Sequence, residues 1–225
     1  MTNDRSLLLA YTQRNSLKFY DCKTAPSPRR VRIFLAEKGV EIETVQVDLG
    51  TGEQFGKEFQ KVNPDCAVPA LELDNGRCIS EVIAICQYIE DLYPEPALLG
   101  QTPEERALVS MWNGKVEQLG LLAMMDAFRN SAKGMVNRAL PGPESYAQIP
   151  ELAERGRRRV LHFFYRLNDQ LAGNRFLAGN NYSIADISAM VLVDFAGRVK
   201  ITIPNDASHV ARWYAEVSKR PSAAA

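Results

Sequence analysis

The chain lacks an excess of either charge: 27 Lys and Arg stand against 27 Asp and Glu. Without a dominant sign there is no broad field to draw in nucleic acid or an anionic lipid surface. The Arg157-Arg158-Arg159 run reads as a solvated helix face rather than a phosphate site. No apolar run approaches the length of a membrane span. The first residues, MTNDRSLLLAYTQRNS, hold only a four-residue apolar patch, too short for a signal-peptide core. Only two histidines occur, His162 and His209, and no acidic cluster accompanies them, so no metal site is expected. The four cysteines, Cys22, Cys66, Cys78 and Cys86, have neither CxxC nor zinc spacing. Free thiols in a chain without a leader point to a reducing cytoplasm. At 225 residues the chain suits one large domain or two small ones.

What is present is organised around residues 17–39, LKFYDCKTAPSPRRVRIFLAEKG. Leu17 and Phe19 begin a short half-apolar strand. A turn through Thr24, Ala25 and Pro26 follows. Val31, Phe34 and Leu35 then recur at helical spacing, and Gly39 sits where a helix stops. Ser27 before Pro28 predicts the helix start, serine as the cap and proline in the first turn. A hydroxyl is thereby delivered to the positive end of a helix dipole, a place suited to an anion.

Further along, Glu43 to Leu49 alternates as a strand. A short helical piece around residues 57–61 ends at Asn63-Pro64. Val68 to Leu73 enters another strand, Asp74-Asn75-Gly76 turns, and Arg77-Cys78-Ile79 returns. From Ser80 the period becomes 3.6, with Val82, Ile85, Cys86 and Ile89 on one face. These pieces join into one small sheet covered by helices. Residues 93–104 hold prolines and glycine and read as a linker. Beyond it only helical signals appear. Leu108, Met111, Trp112 and Leu119 are expected to share one face, and Val160, Phe164, Leu167 and Leu171 another. Residues 135–150 read as an irregular connection. Ser183 to Asp186 forms a capping box with Asp in place of the commoner Glu, and the helix it opens is apolar nearly all round. The division is a 1–16 extension, an α/β domain over 17–92, the linker, and an all-α domain over 105–225.

At this point the residues resemble a known family. SPRRVRIFLAEKG, NPDCAVPALELDNG, ISEVIAICQYIED and RFLAGNNYSIADISA, together and in this order, are similar to the cytosolic glutathione S-transferases, nearest to bacterial members with a theta- or nu-like first turn. The resemblance implies a thioredoxin-like N-terminal domain, an α-helical bundle domain after it, and a homodimer. It implies glutathione as co-substrate, no metal, and a small hydrophobic electrophile as second substrate. It also implies a cis Val68–Pro69 bond, with glutathione's backbone pairing against Val68 as an added strand. Glutathione-dependent disulfide or peroxide reduction is the alternative activity, and a non-catalytic binding module is the alternative from another class.

The chemistry needs a thiolate from a thiol of pKa about 8.5. One hydroxyl hydrogen bond to charged sulfur contributes about 1.5–3 kcal/mol and a helix start about 0.3–1. Together they lower the pKa by about one to three units, so one serine suffices without a general base. By alignment of the turn, Ala25 stands where serine-type members carry their serine, and Phe19 where others carry a tyrosine; Tyr20 is expected in the core. Ser27 is the candidate, helix capping being its alternative role; Thr24 is second and Cys22 third. For the γ-glutamyl end, the resemblance implies that Glu81 takes the ammonium, while Val82 offers only a backbone N–H where relatives carry serine. Ala67 likewise replaces a polar residue. Gln54 aligns with residues that reach the glycyl carboxylate, a solvated loop position being the alternative. Trp112, Met111, Met124, Met125 and Phe128 are candidates for the electrophile's pocket. Asp186 is assigned a structural role.

Overall fold

The computed structural model describes residues 17–225, and the 1–16 extension set apart above lies outside the described residues. The first strand, β1 (Lys18–Asp21), alternates half-buried and buried positions, with Phe19 and Asp21 turned inward. A parallel partner needs a crossover, and the helix α1 (Pro26–Lys38) supplies it before β2 (Glu43–Gln46). β3 (Ala70–Glu72) and β4 (Cys78–Ser80) pair antiparallel, giving the order β2-β1-β3-β4. This mixed sheet is the expected thioredoxin-like arrangement. β2 stops at Gln46 rather than Leu49. There the Asp48 carboxylate accepts from the Gly50 N–H at 2.8 Å and bends the chain into a turn.

α1 ends where its sequence says it should. Gly39 adopts φ 63°, ψ 30°, and the Gly39 and Val40 amides return to Ala36 and Leu35 at 3.1 and 3.0 Å. Its start differs from expectation. Ala25 is the cap residue in extended geometry, Pro26 takes the first helical position, and Ser27 lies inside the first turn without capping it. Two prolines two residues apart offer two start sites, and the ring of Pro26 fits the first helical position.

α2 (Lys57–Val62) is the short helical piece, and α3 (Val82–Leu92) the amphipathic helix after the hairpin. α1 packs against α3 on one side and against the helical domain on the other. Val31, Ile33, Phe34, Ile85 and Ile89 are all 0–1% exposed, and the core runs unbroken into the second domain.

That domain opens with a capping box at Thr102. Its hydroxyl accepts from the Glu105 N–H at 3.1 Å, and the Glu105 carboxylate accepts from the Thr102 N–H at 3.2 Å. α4 (Pro103–Lys115) widens into a π-helical segment, Val116–Leu121, and continues as α5 (Leu122–Arg129). Val109 and Trp112 face inward, but Leu108 and Met111 are 37% and 43% exposed, so the four apolar residues do not share one buried face. The π segment shifts the register between Trp112 and Leu119, which a constant 3.6 period does not capture.

α6 (Pro150–Ala172) crosses α5 closely at Gly156, where a Cβ would lie 2.5 Å from the Ala123 carbonyl oxygen. α7 (Ile184–Ala196) is the buried centre and α8 (Ser208–Val217) packs beside it. Asp186, fully buried, accepts from the Ser183 N–H (3.1 Å), the Ser183 hydroxyl (3.1 Å), the Leu177 N–H (3.0 Å) and the Trp213 indole (2.9 Å). Burial pushes its carboxyl up to about 6, against these hydrogen bonds, which pull it down. No helix among the described residues is long and apolar enough to cross a membrane.

Candidate active site

The sheet register gathers the candidate residues at one end. Tyr20 pairs with Ala70 and Ala70 with Ser80. Cys22, Val68 and Val82 each lie two residues beyond this paired row, at the carboxyl end of β1. Gln54 follows β2 at that same end, in a 3₁₀ turn, Glu53–Phe55.

The turn from β1 into α1 is closed by the Ala25 N–H donating to the Cys22 carbonyl at 2.9 Å. This accounts for the cap residue's own amide. Pro26 and Pro28, at the first and third helical positions, have none. Of the four amides a helix start leaves without a helical acceptor, only the Ser27 N–H remains open. The Ser27 side chain is half-buried and its hydroxyl has no partner among the described residues. An unpartnered hydroxyl and the open amide therefore belong to one residue in the first turn of α1. Thr24 is exposed, and its Oγ1 lies 3.5 Å from the Sγ of buried Cys22. Tyr20 donates to Glu72 at 2.8 Å and meets Phe59 edge-on at 5.9 Å. Burial and then the Glu72 hydrogen bond push its phenol up to about 12, which suits a structural hydroxyl.

A second layer fixes the turn from beneath, and sequence reasoning did not find it. Buried Asp21 binds the Arg32 Nη1 at 2.5 Å and the Gln46 Nε2 at 2.6 Å, while Arg32 Nη2 donates to the Lys23 carbonyl at 3.1 Å. The available signal was an Asp at an inward strand position with Arg at helical distance after it. α1 is also tied to the helical domain. Arg29 donates to Asp194 at 2.5 Å and to the Ala223 carbonyl at 2.9 Å, and Arg30 is paired with Glu117.

The Val68–Pro69 bond is cis, as the resemblance implied. No described hydrogen bond takes up the Val68 amide or carbonyl, so both are free for an added strand. Asn63 braces the loop below, donating to the Ala67 carbonyl at 2.8 Å and accepting from the Asp65 N–H at 3.1 Å. Gln54 is not a solvated loop residue: it is 2% exposed and its Oε1 is buried without a partner. A buried amide oxygen left unpaired is costly, and such groups recur where a ligand completes the bonding.

Glu81 caps α3 at φ 70°, ψ 129°, a left-handed conformation that side chains rarely adopt. Such strain clusters at ligand clamps. Its carboxylate is exposed, and no described ion pair uses it. The Val82 side chain is 5% exposed and belongs to the core, leaving its N–H as the group presented at the helix start.

The electrophile candidates scatter. Met124 (1% exposed) and Trp112 are core, Met125 and Phe128 are half-buried, and Met111 is exposed. Phe128 meets Phe195 edge-on at 5.2 Å, and the Lys115 ammonium lies 4.2 Å from the Trp112 ring. Burial pushes the thiols of buried Cys66 and Cys86 up, away from reactivity. No group of three His, Cys, Asp or Glu suited to a metal occurs among the described residues.

Comparison with known proteins places this geometry. Residues 24–92 match the model described as glutathione S-transferase, N-terminal domain, and residues 116–221 that described as glutathione S-transferase, C-terminal domain. The chain is 34% identical to glutathione S-transferase 2 of Saccharomyces cerevisiae over 212 residues, 93% of this chain and 88% of the yeast protein. The crystal structure of Gtt2 from the same yeast superposes with a TM-score of 0.84 at 34% identity, covering 91% of this chain and 97% of that one. A glutathione S-transferase domain-containing protein of Marinobacter aquaeolei VT8 gives a TM-score of 0.84 at 37% identity, covering 91% and 98%.

Proposed function

The chain belongs to the glutathione S-transferase family, and from that premise we propose that it ionises the thiol of glutathione at Ser27 and transfers the thiolate to hydrophobic electrophiles. The observation that carries this reading is that one residue, in the first turn of α1, holds both a hydroxyl without a partner and the one amide left open there among the described residues. A hydrogen bond to charged sulfur contributes about 1.5–3 kcal/mol and the helix end about 0.3–1. At 1.36 kcal/mol per unit, these bring a pKa of about 8.5 to neutrality or below. The sulfur adds to the electrophile's carbon, the leaving group departs with the bonding pair, and the thiol proton passes to solvent.

The tripeptide is proposed to lie along the carboxyl end of the sheet. Val68 pairs with its cysteinyl backbone, and Pro69 shapes the approach. Glu81 takes the γ-glutamyl ammonium, and the Val82 N–H takes the neighbouring carboxylate. Gln54 serves the glycyl end, where its buried Oε1, unpartnered among the described residues, accepts from the glycyl N–H. Thr24, exposed at the rim, is the second hydroxyl. The family resemblance supports a homodimer, and four free cysteines support a reducing cytoplasm.

The test is the pH dependence of turnover with glutathione and a halogenated nitroaromatic. In Ser27→Ala the midpoint is expected to rise by about one to two units. An unchanged midpoint in a folded Ser27→Ala variant overturns the assignment.

A further inference from the structure

Three residues after Ser27, Arg30 lies on the same face of α1, at about 5–6 Å between Cβ atoms for this spacing. Arg30 is 5% exposed, and its Nε is buried without a partner. Its Nη1 meets the Glu117 carboxylate and lies 3.5 Å from the Ser188 hydroxyl, which donates to Asn113 at 2.8 Å. Glu117 belongs to the π-helical segment of the second domain, and its side chain is 34% exposed. A buried cation beside the helix start is thus offset by one carboxylate reaching across from the other domain, at a wide turn of the kind common at functional sites.

We propose that Arg30 and Glu117 form a positioning pair that sets the ionisation of the thiol held at Ser27, Arg30 favouring the thiolate and Glu117 moderating it. This rests on the placement of the sulfur at the start of α1. Apart from exposed Glu81 and Lys23, the charges nearest that end are already engaged. Arg29 is held by Asp194, which also accepts from Tyr214. Arg32 is held by Asp21. Lys38 and Glu90 pair at the far end of α1, and Lys115 lies over Trp112. Cys86 on α3 sits within reach of the charge of Arg30 but is fully buried as a thiol. Lys23 is exposed in the turn.

The pair gives opposite signs for its two halves. With an effective dielectric near 20 and a separation on the order of 10 Å, one uncompensated charge moves a thiol's midpoint by about one pH unit. Glu117→Gln leaves the cation unopposed and lowers the midpoint. Arg30→Gln leaves the carboxylate and raises it. The double variant returns close to the parent.

The experiment measures the pH midpoint of kcat/KM and of thiolate absorbance of bound glutathione in the full chain, with thermal melting as a check on folding. Opposite shifts that cancel in the double variant support the pair; a merely structural contact gives melting changes without them. Midpoints that stay fixed, or move the same way in both single variants, overturn it. Should Arg30→Gln fail to fold, Glu117→Gln decides alone: its midpoint must fall. Opposite shifts here with an unchanged Ser27→Ala profile leave the pair standing and remove Ser27. A shifted Ser27→Ala profile with fixed pair midpoints does the reverse.

Discussion

Glu37, near the end of α1, and Arg220, 183 residues later, meet in a two-point ion pair at 2.7 and 2.6 Å, with the Ser222 hydroxyl donating to the same carboxylate. Burial alone would raise the Glu37 pKa, but the Arg220 and Ser222 hydrogen bonds, with the charge of Arg220, hold it below the ordinary carboxylate range. A folded pKa below the unfolded one contributes stability that is complete above the unfolded value and fades as pH falls through the folded one. The pair's contribution is therefore full at neutral pH and lost on acidification. In urea unfolding, Arg220→Ala is expected to lie below the parent at pH 7, with the gap closing toward pH 3. A gap that is constant with pH contradicts the pairing.

Glu81→Ala removes the carboxylate from a residue held at a positive φ. A lost hydrogen bond to a charged group costs about 1.5–3 kcal/mol, or roughly 10- to 150-fold in affinity. The glutathione KM is expected to rise by that range while the electrophile KM stays level. A neutral result removes Glu81 from the cradle.

Asp186→Ala strips the partner from four buried donors: the Leu177 amide, the Trp213 indole, and the Ser183 amide and hydroxyl. Leaving them unsatisfied costs about 3–5 kcal/mol in all, which in a chain this size lowers Tm by about 10 °C or more. The glutathione KM of the folded fraction is expected to stay unchanged. A Tm within a degree or two of the parent would mean water replaces the carboxylate.

Two helical glycines predict opposite outcomes. At Gly114 an added methyl meets nothing within 4 Å, whereas at Gly156 it meets the Ala123 carbonyl oxygen at 2.5 Å and the Ala127 amide at 2.7 Å. Gly114→Ala is expected to stabilise by up to about 1 kcal/mol through helix propensity. In Gly156→Ala that gain is outweighed by backbone overlap costing about 1–3 kcal/mol. Chemical denaturation of both variants checks the pair of signs.

Local pattern carried the fold well because each signal acts over a few residues. Gly39 closes α1, the Thr102 and Ser183 boxes open their helices, and the apolar 184–196 stretch is buried. The site was legible only in part. Two nearby prolines made the start of α1 ambiguous, and Pro26 rather than Ser27 begins it. The cis bond came through resemblance, since no residue pattern specifies it. Burial of Gln54 depends on how the loop after β2 folds back, which composition does not encode. The ties from Arg29, Arg30 and Glu37 reach across 165, 87 and 183 residues, and pairing at such range leaves no trace in periodicity.

The paired prolines at the start of α1 have a selective effect on what can dock there. A helix mouth with several open amides grips polyatomic oxyanions, as in nucleotide and phosphate sites. Pro26 and Pro28 remove two of the four amides and the Cys22 carbonyl takes up a third, that of Ala25, so one N–H is offered there beside the Ser27 hydroxyl. A phosphate or sulfate, which needs several amides at once, finds a poor hold at such a mouth.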